Sequence, residues 1–182
     1  MSFRLRSGMV VPPEQRPWRH RQTARVVVRA GGAVLLLHDT DPGVPGSGWW
    51  VTPGGGVEPT ESPRQAAARE LAEETGLLLD EDQLLGPIAH RVVIHGYSDQ
   101  VLVADETFFA VDVELFEPSS AGFTESERSR IGEHRWLTMA DARSATVWPG
   151  VLPLLFAADG SRLLELGRME ESVVPVTDSC PR

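Results

Sequence analysis

Apolar residues in this chain first gather in two short runs, RVVVRA at 25–30 and AVLLLH at 33–38, joined by Gly31-Gly32. Aliphatic and β-branched runs of that length around a two-glycine step predict a strand, a tight turn and a second strand. The stretch DTDPGVPGSG at 39–48 is a loop of turn formers. Residues 49–52 read as a short strand stopped by Pro53-Gly54-Gly55-Gly56, in which Trp49 and Trp50 must point to opposite faces. The pattern then turns helical. Ser62 is a natural N-cap, Pro63 fits the first helical position and Gln65 completes a capping box. Gly76 stands where a left-handed C-cap residue belongs. Further strands are predicted over 88–95, 107–115 and 134–138, with a polar turn near 97–100 and a polar loop over 118–130. Short helices are predicted over 139–143 and 152–158. Strands interleaved with helices in this order indicate an α/β fold with a mixed β-sheet between helices.

Residues 1–22 hold Pro12, Pro13, Pro17 and five arginines without periodicity, and are expected to form an N-terminal extension. The domain is expected over 23–168, with a flexible tail over 169–182. A chain of 182 residues suits one domain with a real core. No apolar run reaches the roughly 20 residues that span a bilayer, and no secretory signal is expected. The single cysteine, Cys180, can make neither an internal disulfide nor a zinc site, so a cytoplasmic protein is expected. The net charge of −9 argues against a nucleic-acid duplex as partner. All 17 basic residues are arginine. Any side-chain cation that grips a phosphate must therefore do so as a planar fork.

The chemistry is concentrated on the helix over 62–76. With Glu70 at 0°, Glu74 falls at about +40° and Glu73 at about −60°. Ala68, Leu71, Ala72 and Thr75 fall on the other side and are expected to be its buried face. Like charges at these spacings repel, and a divalent cation reverses the sign of that term. Carboxylate oxygens suit Mg²⁺ or Mn²⁺, and soft ligands for zinc are missing from the segment. An isolated E-x-x-E-E is usually a solvated face. Here a triple glycine lies upstream, where backbone can approach an ion closely, and Arg69 can pair with Glu73 at i+4.

The arrangement resembles the Nudix box: glycine, five residues, glutamate, seven residues, Arg-Glu, an aliphatic residue, any residue, Glu-Glu, any residue, glycine, an aliphatic residue. Gly55, Glu61, Arg69, Glu70, Leu71, Glu73, Glu74, Gly76 and Leu77 fill every specified position. The resemblance extends less specifically over 24–158. It implies an α/β/α sandwich, and a hydrolase attacking phosphorus with water in a nucleoside diphosphate linked to another moiety. It further implies that Glu70, Glu73 and Glu74 bind one or more Mg²⁺ ions (Mn²⁺ possible), that the Gly54 carbonyl adds a ligand, and that Arg69 orients the carboxylates. Glu61 would fix the loop.

The general base is expected at Glu133, ahead of Glu106, Glu125 and Glu127. Arg29 and Arg91 are candidates for phosphate contact, and Tyr97 for stacking on a base. His90, His95 and His134 read as structural. Neither the proline nor the tyrosine that marks two subgroups of the family stands at its offset; the nearest are Pro87 and Tyr97. A non-catalytic nucleotide sensor on the same fold is the alternative, though it would need neither three helix glutamates nor Arg69. An isoprenyl diphosphate isomerase would want a cysteine nearer the site. A homodimer is compatible with the sequence.

Overall fold

The computed structural model of the protein describes residues 10–123, 128 and 131–176. Its elements run β1 (Trp18–Ala30), β2 (Ala33–Asp39), β3 (Trp49–Val51), β4 (Gly54–Gly56), α1 (Pro63–Thr75), β5 (Leu85–Gly96), β6 (Val101–Asp112), β7 (His134–Thr138), α2 (Met139–Arg143), β8 (Val147–Trp148), α3 (Leu152–Phe156) and β9 (Leu164–Glu170). The strands form one sheet in the order β8-β3-β2-β1-β6-β5-β9, with β4 also paired to β1 and β7 to β2. β1–β6, β3–β8 and β5–β9 are parallel and the remaining pairs antiparallel, so the sheet is mixed as expected.

Strand alternation on β1 divides the core in two. Ala24, Val26 and Val28 pack with Ala66, Ala67 and Leu71 of α1. Val27 faces the other way, into a cluster with Phe108, Leu152 and Leu155 under α3. Helices thus cover both faces, which is the α/β/α sandwich that the sequence implies. Among the described residues, no helix is long and apolar enough to cross a membrane.

Three boundaries depart from the sequence reading. β1 starts at Trp18 and pairs with β6 in register from Trp18↔Val101 to Arg29↔Asp112. Residues 18–22, read as part of an extension, therefore belong to the sheet. Four of the five are polar because this end of β1 stays partly or fully exposed, with Arg21 lining a cavity. β6 likewise begins at Val101, ahead of the expected 107. Finally, β9 was not expected, and the segment after it is tied down. The Glu171 and Val173 amides donate to the carbonyls of Ile94 and Gly96, each at 2.9 Å. The part of the tail nearest the domain thus extends the hydrogen bonding of β5. Glu125, Glu127 and Cys180 lie outside the described residues.

Candidate active site

α1 is set in place by its ends. The Ser62 hydroxyl accepts from the Gln65 amide at 3.2 Å, and the Gln65 side chain accepts from the Ser62 amide at 2.9 Å. Gly76 closes the helix at φ 75°, a left-handed conformation that glycine adopts without strain. The buried residues of α1 are Ala66, Ala67, Glu70, Leu71, Glu74 and Thr75. Ala68 and Ala72, expected on the buried side, are only partly covered. The helix is rotated so that two of its carboxylates turn inward, which a hydrophobicity pattern alone does not anticipate.

What lets them in is β4. A Cβ at Gly55 would lie 2.5 Å from the Glu70 carboxyl carbon. Glu74 Oε2 accepts from the Gly54 amide at 2.7 Å. Gly54 has φ 143°, and a side chain there would overlap the Ala24 carbonyl. Three residues without side chains therefore open a window through which α1 presents Glu70 and Glu74 to a cavity on the far side of β1. Burial raises the Glu70 pKa above the ordinary carboxylate value, although Arg69 works against that shift.

Arg69 organises the rim. Its guanidinium donates to Glu61 Oε1 at 2.6 Å and Oε2 at 3.1 Å, to Glu70 at 3.0 Å, to Glu73 at 3.1 Å and to the Gly56 carbonyl at 3.0 Å. The Arg69 bond holds Glu61 below the usual carboxylate range. Glu61 in turn accepts from the Glu58 amide at 2.8 Å, fixing the loop before α1. Glu73 is half exposed and turned to Arg69 rather than into the cavity.

Three alternate residues of β1, Arg21, Thr23 and Arg25, line the cavity, together with Glu106, Arg91 and Asp39. Glu106 is fully buried between Arg25 at 2.6 Å and Arg91 at 2.7 Å. Burial pushes its carboxyl up, but the two guanidinium charges outweigh that and hold it down at about 2. Arg91 also pairs with Glu171 at 2.9 Å. The remaining wall is aromatic. Trp49 stacks on Trp148 at 4.3 Å, and Tyr97 lies 6.2 Å from Trp49. His95 lies against Trp148 and Tyr97, and burial lowers its pKa to about 4, which keeps the ring neutral.

Of the residues expected at the site, Glu70, Glu74, Gly54, Arg91 and Tyr97 line this one cavity. Arg29 does not. It lies at the far end of β1, paired with Asp112 at 2.7 Å and donating to the carbonyls of Phe156 and Ala158. Two strand turns of sequence separate it from Arg25, which is enough to carry it past the cavity. Glu133 is half exposed and pairs with Arg135 at 2.8 Å, and it does not line the cavity either. Glu106 is unsuited to act as a base, since both its oxygens are taken by guanidinium groups. His134 donates through Nε2 to the Glu74 carbonyl at 2.5 Å and His90 sits between Asp105 and Glu165, while His95 lies on the cavity wall. Arg21, Thr23, Arg25, Asp39 and Trp148 were missed. The period-two pattern Arg21-x-Thr23-x-Arg25 carried the signal for the first three.

Among the described residues, no three acidic, histidine or cysteine groups close into a complete metal cage. Two carboxylates around a glycine window nevertheless suit Mg²⁺, which takes one or two protein carboxylates and fills its remaining positions with water and phosphate oxygen.

A family model of the NUDIX domain matches residues 18–157, from the first residue of β1 through α3. The chain belongs to the Nudix hydrolase family. A MutT-like protein of Streptomyces ambofaciens is 28% identical over 145 residues, 80% of each chain. A MutT protein from Bacillus halodurans has the same fold, with a TM-score of 0.55 at 18% identity, covering 84% of this chain and 91% of that one. The dihydroneopterin triphosphate pyrophosphohydrolase of E. coli also has a TM-score of 0.55, at 23% identity, covering 79% of this chain and 98% of that one. The Nudix match includes the start of β1 at Trp18 and stops before β9, so Glu171 reaches the buried charge network from outside the matched region.

Proposed function

We propose that this Nudix hydrolase cleaves a diphosphate bond in a nucleoside diphosphate linked to a second moiety, with Mg²⁺ as its cofactor and Mn²⁺ as a substitute. The observation that carries this reading is the pair of buried carboxylates, Glu70 and Glu74, facing arginines and a tryptophan-tyrosine wall across one cavity. Glu70 and Glu74, with Glu73 at the rim and the Gly54 backbone beside them, would hold the cation. Such a cation supplies charge stabilisation at phosphoryl oxygens and lowers the pKa of water.

The chain's own residues do the rest. Arg69 keeps Glu70 and Glu73 oriented and ties them to Glu61. Arg25 and Arg91 hold Glu106 ionised and fix the cavity floor. Trp49, Tyr97 and Trp148 offer faces for a planar base. The acceptor for the water's proton is Asp39, which lines the cavity, rather than the outward-facing Glu133.

The experiment is a panel of nucleoside diphosphate derivatives incubated with Mg²⁺ in ¹⁸O-labelled water. Expected is release of a nucleoside monophosphate or a second phosphorylated product carrying the label, abolished in Glu70→Gln and Glu74→Gln. Turnover unchanged in both variants would remove these carboxylates from the reaction. Binding across the panel without turnover would favour a sensor.

A further inference from the structure

β1 carries a second feature on its cavity face. Thr23 is 4% exposed and lines the cavity, and its hydroxyl has no hydrogen-bond partner among the described residues. A buried hydroxyl without a partner is costly, and native proteins rarely leave one so. Its neighbours in register are Gly56 on β4 and Glu106 on β6. One step of the strand period away on the same face is Arg21, which also lines the cavity. The Arg21 guanidinium lies on the bare backbone of Gly56, where any Cβ would overlap it. It is close enough to Glu70 to favour that carboxylate's charge.

We infer that Arg21 and Thr23 form a phosphate subsite, in which Arg21 donates its fork to one phosphoryl group of the substrate and the Thr23 hydroxyl donates to an oxygen of the same diphosphate. The ligand is an anionic diphosphate, held in the cavity that Glu70 and Glu74 also line. This rests on the diphosphate-hydrolase reading. It adds to that reading the two residues on which the substrate's phosphates are seated, and it explains why the third glycine of β4 lacks a side chain. An arginine fork and a hydroxyl match phosphate oxygens in number and sign, since both donate and phosphate only accepts.

The test uses α,β-methylene-ADP and inorganic pyrophosphate as probes, in Mg²⁺, with binding followed by calorimetry. Arg21→Gln is expected to weaken both roughly ten- to a hundredfold. Thr23→Val is expected to weaken them about three- to tenfold, with a thermal midpoint equal to or above that of the parent, since it removes an unpartnered hydroxyl. Gly56→Ala has no unusual backbone angle to relieve. It should mimic Arg21→Gln by displacing the guanidinium, and the double variant should bind no worse than Arg21→Gln alone. Thr23→Val that binds like the parent and melts lower would overturn the subsite, because the hydroxyl would then be structural. So would a parent protein that binds neither probe. Turnover on the panel with all three variants unimpaired sinks the subsite and leaves the hydrolase reading standing. Variant-sensitive binding without turnover does the reverse.

Discussion

The carboxyl group of Glu70 fills the space that a side chain at Gly55 would occupy: a Cβ there would lie 2.5 Å from its carboxyl carbon. Gly55 is not in the left-handed region, so alanine is tolerated by the backbone there, and its Cβ would meet the Glu70 carboxyl first. Gly55→Ala is expected to lower kcat by about a hundredfold, the scale set by a misplacement of roughly 1 Å. The thermal midpoint should stay close to that of the parent. Steady-state kinetics alongside thermal melting checks both.

Glu106 between Arg25 and Arg91 is a structural charge. Glu106→Gln removes the carboxylate shared by buried Arg91, which keeps Glu171, and partly buried Arg25, which keeps the Thr52 carbonyl, and is expected to cost about 3 kcal/mol in urea denaturation. The pH dependence has a definite sign. A carboxyl held at about 2 contributes stability above its ordinary value of 4.5 and loses it as pH falls towards about 2. The parent should therefore weaken through that acid window, and Glu106→Gln should lack this component.

His90 fastens β9 to the sheet by bonding Glu165 at 3.1 Å and Asp105 at 2.7 Å. The Asp105 bond, joined by Glu165, raises its pKa against the opposing effect of burial. The charged form is therefore favoured by folding. Its contribution is complete below pH 6.5 and fades as pH rises through the folded-state value. Hydrogen exchange of the β9 amides, measured either side of that range, is expected to show weaker protection at the higher pH, and no such change in His90→Gln.

The proton acceptor can be located by pH–rate profiles. Asp39→Asn is expected to move or erase the acid limb, while Glu133→Gln is expected to leave the profile unmoved. A shifted limb in Glu133→Gln would return that residue to the site despite its outward bond to Arg135.

The sequence disclosed the parts of this fold that depend on local rules. Ser62, Gln65 and Gly76 cap α1 as their chemistry dictates, and the box residues fall where their spacing places them. The layers also followed from the order of strands and helices. Hidden features depend on partners distant in the chain. Trp18–Gln22 looks like a polar extension until β6 lies beside it. β9 is short and amphipathic, and it is a strand because β5 offers an open edge. The burial of Glu70 and Glu74 contradicts their polarity and follows from the glycine window of β4. Arg29 and Arg91 look alike in sequence, yet Asp112 and the Phe156 and Ala158 carbonyls hold the first away from the cavity, while Glu106 and Glu171 hold the second on its wall.

In the proposed reaction the inward-turned carboxylates of α1 hold a divalent cation for a diphosphate substrate. Electron paramagnetic resonance of Mn²⁺, titrated with α,β-methylene-ADP present, tests it without requiring turnover. The parent protein is expected to bind Mn²⁺ stoichiometrically, and Glu70→Gln and Glu74→Gln to bind it at least about tenfold more weakly, as for loss of a charged ligand. Equal Mn²⁺ binding by the parent and both variants would contradict the account.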